Sequence, residues 1–276
     1  MEYLDPWVPV SDLETDGVPI IPASTMIILD DRPDLKVLML LRNNFSAFVA
    51  GHSIFPGGAV DEDDKNPVWG AFSEGLSDKE AKDRLKVENA KAFWIAAIRE
   101  TIEEAGMVVG TNDISVVQDR ELLDEGKVSF SELIVKRKLS LDLKALKPVS
   151  RWVTPIGGPR RYDTYFFVAS LSNSVKASAD GKEAVEAFWI TPTEALKRWK
   201  AKEMVMISPT LATLKSLQGY KTVQEVFDCL EERALPENIR VVDEYNALPL
   251  FPCEQDYKKT GTWSSLGWTW LPIKEN

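Results

Sequence analysis

The chain has few of the residues that hold small proteins together or bind zinc. Among its 276 residues are two cysteines, Cys229 and Cys253, and one histidine, His52. Two cysteines are too few for a disulfide framework or a structural zinc site, and no apolar run reaches the roughly 18 residues of a membrane-spanning helix. The sequence therefore argues against a disulfide-stapled, zinc-binding or helical membrane protein, and it indicates a reducing compartment.

Positive charge is also scarce. The 33 Lys and Arg residues are outnumbered by 43 Asp and Glu residues, which gives a net charge of −10, and no basic run is long enough to mark a nucleic-acid surface. An acidic protein that handles a polyanionic substrate needs local positive charge, which metal ions and a few placed arginines can supply. We therefore expect neither nucleic acid nor a membrane as a partner.

The two ends of the sequence predict a cytoplasmic location. Residues 1–6 are acidic and broken by proline, unlike a signal peptide. Residues 274–276 are Lys-Glu-Asn rather than the Ser-Lys-Leu of a peroxisomal address.

A cluster of acidic residues ends a long apolar stretch, in the sequence Arg-Glu-Thr-Ile-Glu-Glu-Ala-Gly of residues 99–106. If this stretch is a helix, Glu100, Glu103 and Glu104 share one face because they are three and four residues apart. Their charges repel one another in the last turn before the predicted C-cap Gly106, where the helix dipole disfavours each anion by about 0.3–1 kcal/mol. Mg²⁺ or Mn²⁺ would remove this cost, because a hard cation binds carboxylate oxygens.

On its own, the cluster also fits a solvated, Glu-rich helix end. A second element favours the functional interpretation. Residues 55–64, Phe-Pro-Gly-Gly-Ala-Val-Asp-Glu-Asp-Asp, contain paired glycines, which let backbone approach a ligand closely.

Together the two elements resemble the signature of the Nudix hydrolases. Three features depart from the usual pattern: Asp64 replaces Glu, Thr101 occupies an aliphatic position, and residues 65–98 replace a short spacer. An interrupted box of this kind resembles the peroxisomal coenzyme A diphosphatase branch, as do residues 51–58 and 151–164.

The resemblance implies a metal-dependent hydrolase that cleaves the diphosphate linkage of a nucleoside diphosphate joined to another moiety. The leading candidate is coenzyme A or acyl-CoA, which would give 3′,5′-ADP and 4′-phosphopantetheine or its acyl form. The alternatives are NADH, ADP-ribose or a nucleotide sugar as substrate, or a catalytically inactive Nudix-fold module that binds a nucleotide.

The resemblance also assigns roles on the predicted helix that ends before Gly106, called the acidic helix below, and in the turn around Gly57 and Gly58, called the glycine turn. It implies that Arg99 orients the carboxylates and that a glutamate acts as general base. In the family a glutamate in the loop before a tryptophan-containing strand can supply a metal contact or the base. Glu183 and Glu186 are both candidates for this glutamate, and Glu183 is preferred for its loop position. The predicted metal ligands are Glu100, Glu103, Glu104 and Gly57, and the candidate bases are Glu103, Glu104 and Glu183.

Four further residues are candidates for substrate binding. Arg42 matches part of another coenzyme A motif, and His52 lies beside the glycine turn, where a purely structural hydrogen bond is the alternative. Arg160 and Arg161 follow a glycine-rich loop, and a guanidinium suits phosphate because it can donate two parallel hydrogen bonds. The alternative for this pair is a surface position beside a strand.

The implied fold is α/β, a Nudix-type α/β/α sandwich with a mixed central sheet, an insertion in the Nudix box and a helical C-terminal extension. Two apolar runs, 24–29 and 36–41, predict a hairpin covered on both faces. Further strands are predicted at 150–154, 162–171 and 184–190, and helices at 77–86, 89–105, 129–139, 191–196, 210–217 and 222–232.

The sequence predicts an N-terminal arm over residues 1–19 and a Nudix hydrolase domain over residues 20–203, within which residues 65–88 form the insertion. The insertion helix is expected either to cover the site mouth or to be a solvated decoration, and residues 43–50 to loop over the site. A helical and Trp-rich extension, 204–276, is expected to pack on the domain, with Trp263, Trp268 and Trp270 docked there or on a second subunit of a homodimer.

Overall fold

The computed structural model describes residues 5–43, 50–171, 176–241, 248–258 and 266–274. In this part of the chain the strands are β1 Ile20–Asp30, β2 Lys36–Arg42, β3 Ser53–Ile54, β4 Gly57–Ala59, β5 Ser73–Glu74, β6 Leu141–Asp142, β7 Leu146–Val153, β8 Arg161–Ser170, β9 Ala184–Ile190, β10 Glu237–Ile239 and β11 Leu266–Thr269. The helices are α1 Trp69–Phe72, α2 Asp78–Leu85, α3 Lys91–Ala105, α4 Arg120–Asp124, α5 Phe130–Arg137, α6 Pro192–Lys200, α7 Ser208–Leu217 and α8 Val223–Glu232.

The predicted hairpin is confirmed and lies deep in the core. β1 and β2 pair antiparallel, with Leu29 opposite Val37. Residues 26–29 of β1 and 37–40 of β2 are all fully buried. Because successive side chains of a strand point to opposite faces, burial of every residue means that both faces of the hairpin are covered.

The central sheet is mixed, which confirms the predicted α/β class. Its strand order is β10-β11-β7-β8-β1-β2-β3, with β4 also beside β1 and β9 also beside β2. β1 runs parallel to β8 and antiparallel to β2 and β4. The acidic helix α3 packs against β1 and β4, which brings its carboxyl end beside the glycine turn.

The insertion contains the predicted helix, and this helix lies away from the large cavity. Ser77 and Glu80 form both hydrogen bonds of a capping box at the start of α2. Arg84 of this helix donates to the carbonyls of Leu230 and Arg233. No residue of the insertion lines the large cavity described below, so the helix does not cover the site mouth. Five of its eight residues are exposed, while Ala81 and Leu85 are buried.

Three further predicted helix starts are confirmed by their caps. The hydroxyl of Ser129 accepts an N–H at the start of α5, and Thr222 does the same for α8. Thr191 caps α6, where Pro192 occupies the first turn, a position at which its missing N–H costs nothing.

The C-terminal segment contributes strands as well as helices. β11 pairs with β7, and β10 pairs with β11, whereas the sequence predicted no strand in this segment. Trp268 and Trp270 are fully buried, and the Trp270 ring lies 5.5 Å from that of Trp7. The domain boundaries given above, at residues 19/20 and 203/204, stay a prediction. Trp263 and residues 44–49 of the predicted loop lie outside the described residues.

In the described ranges, no helix has both the length and the apolar character that crossing a membrane requires.

The docking of β11 predicts the effect of a side chain at Gly267. A Cβ there would lie 2.4 Å from the ring of Trp152 on β7. We expect Gly267→Ala to lower the free energy of unfolding by about 1–3 kcal/mol, because the buried ring must move, and calorimetry would show this as a lower Tm. Gly70→Ala is the control, since its Cβ meets nothing within 4 Å; equal melting of the two variants would contradict this packing of β11.

Candidate active site

The last turns of α3 carry three of the four predicted metal ligands, Glu100, Glu103 and Glu104. Gly106 ends the helix in the left-handed conformation at φ 60°, and its N–H donates to the Ile102 carbonyl. Thr101, which occupies an aliphatic position of the motif, is fully buried and donates its hydroxyl hydrogen to the Ala97 carbonyl at 2.7 Å. A polar side chain is therefore tolerated at this position because the helix itself satisfies it.

The glycine turn packs directly on these carboxylates. The Gly57 N–H donates to Glu104 Oε2 at 2.8 Å. A Cβ on Gly57 would lie 2.4 Å from the Ser24 carbonyl oxygen, and a Cβ on Gly58 would lie 2.5 Å from Glu100 Oε1. A Cβ on Gly57 would meet the backbone of β1, and a Cβ on Gly58 would displace the Glu100 carboxylate. The paired glycines therefore allow the close approach to β1 and to the acidic helix.

Arg99 joins the acidic helix to the chain before the insertion. Its guanidinium donates twice to the carboxylate of Asp64, at 3.0 and 2.9 Å, and once to the Ala59 carbonyl at 2.8 Å. It also donates to Glu100 at 2.8 Å and to Glu103 at 3.1 Å. The two halves of the interrupted motif are therefore in contact, because Asp64 before the insertion is bound to Arg99 after it.

Burial raises the pKa of all three glutamates of the helix. It raises the pKa of Glu100 to about 8, although the Arg99 charge opposes this effect. Burial, followed by the charge of Glu100, raises the pKa of Glu104 well above its ordinary value, and burial also raises that of Glu103. Burial disfavours the Arg99 cation, yet Glu100, Asp64 and Glu103 outweigh this and raise its pKa. Without a bound cation, burial therefore favours the protonated, uncharged form of these carboxyl groups.

The free oxygens of the cluster suit a hard divalent cation. One oxygen of each glutamate accepts a hydrogen bond from Arg99 or Gly57, and the other accepts none from the described residues. In those residues, no three acidic, His or Cys side chains already stand in a metal-binding arrangement; Arg99 and Gly57 hold the carboxylates instead. Carboxylate oxygens are nevertheless the ligands that Mg²⁺ and Mn²⁺ prefer, and a bound cation would favour the ionised form of these groups.

Glu183 reaches the same site from the loop before β9. Its carboxylate accepts a hydrogen bond from Arg42 at 2.6 Å, and its side chain is 57% exposed. Asp180 organises this loop by accepting from the three N–H groups of residues 182–184. Glu186 lies on β9 and does not line the large cavity, so the geometry favours Glu183 as the loop acid.

Arg120 belongs to the site, although the sequence analysis did not identify it. It donates to the carbonyl of Glu103 at 2.7 Å and to the carbonyl of Ser178 at 2.9 Å. Ser178 in turn donates its N–H to Ala105. Arg120 therefore places a cation at the carboxyl end of α3, where the helix dipole favours one, and ties the Glu183 loop to that end. Its contacts are with backbone groups far away in sequence, so no local motif could have revealed it.

A cavity of about 1880 Å³ opens over the carboxylates. One wall is formed by residues 152–160 and another by residues 199–210, apart from Ala201 and Glu203. His52 also lines the cavity, and its Nδ1 lies 2.9 Å from the Ala50 carbonyl oxygen. That contact corresponds to the structural hydrogen bond that was the alternative for His52.

The two neighbouring arginines have different surroundings. Arg160 lines the cavity. Arg161, the first residue of β8, is 2% exposed and does not line it. Its guanidinium donates to the carbonyls of Thr154 and Glu14, so Arg161 supports the cavity wall without facing the cavity. Of the two arginines, only Arg160 is in a position to contact a substrate there.

The raised pKa of Glu100 predicts how stability depends on pH without metal. The folded state keeps the Glu100 proton up to about pH 8, whereas an unfolded glutamate loses it near its ordinary pKa of about 4.3. The folded state thus binds more protons in between, and the free energy of unfolding should fall as pH rises through this window. We expect the decline of Tm from about pH 5 to 8 to be steeper in metal-free wild type than in Glu100→Gln. Parallel profiles would contradict the burial of this charge.

Comparison with known proteins places the chain in a family. The sequence profile described as the NUDT19 Nudix domain matches residues 70–217, more than half of the chain. The chain resembles proteins named acyl-coenzyme A diphosphatase NUDT19, at 27% identity in Gallus gallus and 28% in Xenopus laevis. These matches cover 81% and 73% of this chain and 75% and 64% of the respective relatives, so less than two thirds of the frog protein is represented.

A solved structure gives the same result. The crystal structure of a Nudix hydrolase from Alicyclobacillus acidocaldarius superposes with a TM-score of 0.67 at 25% identity, covering 77% of this chain and 97% of the other. The common fold agrees with the mixed sheet, and the matched profile includes the helix that carries the acidic cluster. This chain is therefore an enzyme of the Nudix hydrolase family and belongs to the branch defined by the NUDT19 Nudix domain.

Proposed function

We propose that this enzyme is a Mg²⁺- or Mn²⁺-dependent diphosphatase that hydrolyses coenzyme A or acyl-CoA to 3′,5′-ADP and 4′-phosphopantetheine or its acyl form. The observation that carries the proposal is the packing of Glu100 and Glu104 against the glycine turn, with all three glutamates of α3 at one side of the large cavity. The printed names of the chicken and frog relatives support a substrate of the coenzyme A type. A cytoplasmic location and a homodimer stay predictions from the sequence.

The walls of the cavity support an anionic substrate. Arg160, Lys200 and Lys202 line it, and in the described residues none of the three forms an ion pair with an acidic side chain. Coenzyme A carries a diphosphate and a 3′-phosphate, which would pair with such cations. An enzyme with a net charge of −10 would thereby have local positive charge where its substrate binds.

The reaction adds water across the phosphoanhydride. The oxygen of water bonds to one phosphorus, and the bond from that phosphorus to the bridging oxygen breaks. The proton that water loses is taken up by the phosphate oxygen that leaves. When bound, a divalent cation neutralises the negative diphosphate and makes water more acidic. Glu100, Glu103 and Glu104 would hold it, and the Gly57 carbonyl stays a predicted fourth ligand.

The protein's own groups orient this reaction. Arg99 fixes the carboxylates of Glu100 and Glu103 through hydrogen bonds of 2.8 and 3.1 Å. Glu103, Glu104 and Glu183 remain the candidates for removing the proton of water. Arg42, which pairs with Glu183, would hold that carboxylate at the cavity until substrate arrives.

The proposal is tested by incubating the enzyme with coenzyme A, acyl-CoA, NADH, ADP-ribose and nucleotide sugars, with and without Mn²⁺. We expect metal-dependent release of 3′,5′-ADP from the coenzyme A substrates, identified by mass. Glu103→Gln and Glu104→Gln should each lower kcat at least about 100-fold, the size of effect expected for a lost ligand or base.

Glu186→Gln is the matched control, because it makes the same chemical change at a glutamate of β9 outside the cavity. It should retain wild-type turnover, and circular dichroism should show that all three variants are folded. Turnover of NADH or ADP-ribose alone would overturn the assignment to coenzyme A, and turnover without metal would overturn the proposed chemistry.

A further inference from the structure

The cavity has more room, and more apolar wall, than cleavage of a diphosphate needs. Its volume of about 1880 Å³ exceeds the roughly 300–1,000 Å³ of most small-molecule pockets. The carboxylate cluster occupies one side. Much of the remaining wall is hydrophobic, and it includes Trp152, Ile156, Met204, Val205, Met206 and Leu248.

Two of these apolar residues face solvent. Ile156 is 47% exposed and Val205 is 52% exposed. Single exposed apolar residues are common and need no explanation, but these two line one cavity. The neighbours of Val205 in sequence, Met204 and Met206, line it too, and methionine adapts its shape to flexible ligands.

The two exposed residues belong to different walls. Ile156 lies in the loop between β7 and β8, and Val205 lies between α6 and α7, where its carbonyl accepts from the Ser53 N–H of β3. In the sheet order, β7 and β3 are on opposite sides of β1, the strand that pairs with the glycine turn. An elongated apolar group lying between the two walls could therefore contact both.

We propose that Ile156, Met204, Val205 and Met206 form a subsite for the acyl chain of a fatty acyl thioester. This inference rests on the proposed function and specifies its substrate: a molecule with a phosphorylated head and a long hydrocarbon tail. NADH, ADP-ribose and nucleotide sugars are polar at both ends, so they would bury no hydrocarbon here. An acyl-CoA matches the unpaired cations, the acidic cluster and the hydrophobic wall of one cavity.

The subsite predicts a dependence of catalysis on chain length. Each methylene that leaves water can improve binding by about fourfold. We expect kcat/KM to rise from free coenzyme A through butanoyl-, octanoyl- and dodecanoyl-CoA, assayed below their micelle-forming concentrations, and to level off where the chain outgrows the subsite. The readout is release of 3′,5′-ADP in the presence of Mn²⁺.

Two substitutions test the named residues. Ile156→Asp and Val205→Asp place a charge against the chain, and each should lower kcat/KM for dodecanoyl-CoA at least about tenfold relative to free coenzyme A. Both positions are exposed, so folding should be preserved. Ile114→Asp is the matched control, because Ile114 is also 47% exposed but does not line the cavity; it should keep the wild-type dependence on chain length.

The outcomes separate the subsite from the function on which it rests. Equal kcat/KM for all chain lengths, or an unchanged dependence in both cavity variants, would overturn the subsite while release of 3′,5′-ADP upheld the diphosphatase. Absence of product from every coenzyme A substrate would overturn the proposed function and the subsite with it.

Discussion

One guanidinium buried among carboxylates holds the site together. Arg99 is 6% exposed and donates to Asp64, to Glu100 and Glu103, and to the Ala59 carbonyl. These partners come from three parts of the chain: the residues before the insertion, the acidic helix and the glycine turn. Because removing one partner from a buried charge pair costs about 3–5 kcal/mol, the three parts are stable in their buried positions only together.

The carboxyl groups around Arg99 outnumber this single guanidinium, and a catalyst that binds a cation can use the difference. Arg99 forms ion pairs with Asp61, Asp64, Glu100 and Glu103. Burial raises the pKa of the three glutamates of the helix, Glu100, Glu103 and Glu104. A protein selected for stability alone would have little reason to bury such a group. Here the buried carboxyl groups lie directly against the glycine turn, so the cost is concentrated where a divalent cation would relieve it.

Local patterns predicted most of this arrangement. The caps at Ser77, Ser129 and Thr191 and the spacing of the glutamates depend on residues a few positions apart, so the sequence shows them directly. The role of Arg120 and the choice between Arg160 and Arg161 depend on distant backbone carbonyls, which leave no periodic signal. The strands near the C-terminus were missed for a related reason. β11 pairs with β7, where Leu266 lies opposite Val153, and β10 pairs with β11; short apolar runs broken by prolines do not reveal such distant partners.

The insertion shows that chain continuity is not needed between the two halves of the motif. Asp64 and Arg99 meet through space, and Arg84 of the intervening segment donates to carbonyls at the end of α8. What matters is that both ends of this excursion return to the same point. The excursion is nevertheless part of the domain, because Trp69, Ala81 and Leu85 are buried in its hydrophobic core, and a deletion that rejoined the two ends would leave a cavity there.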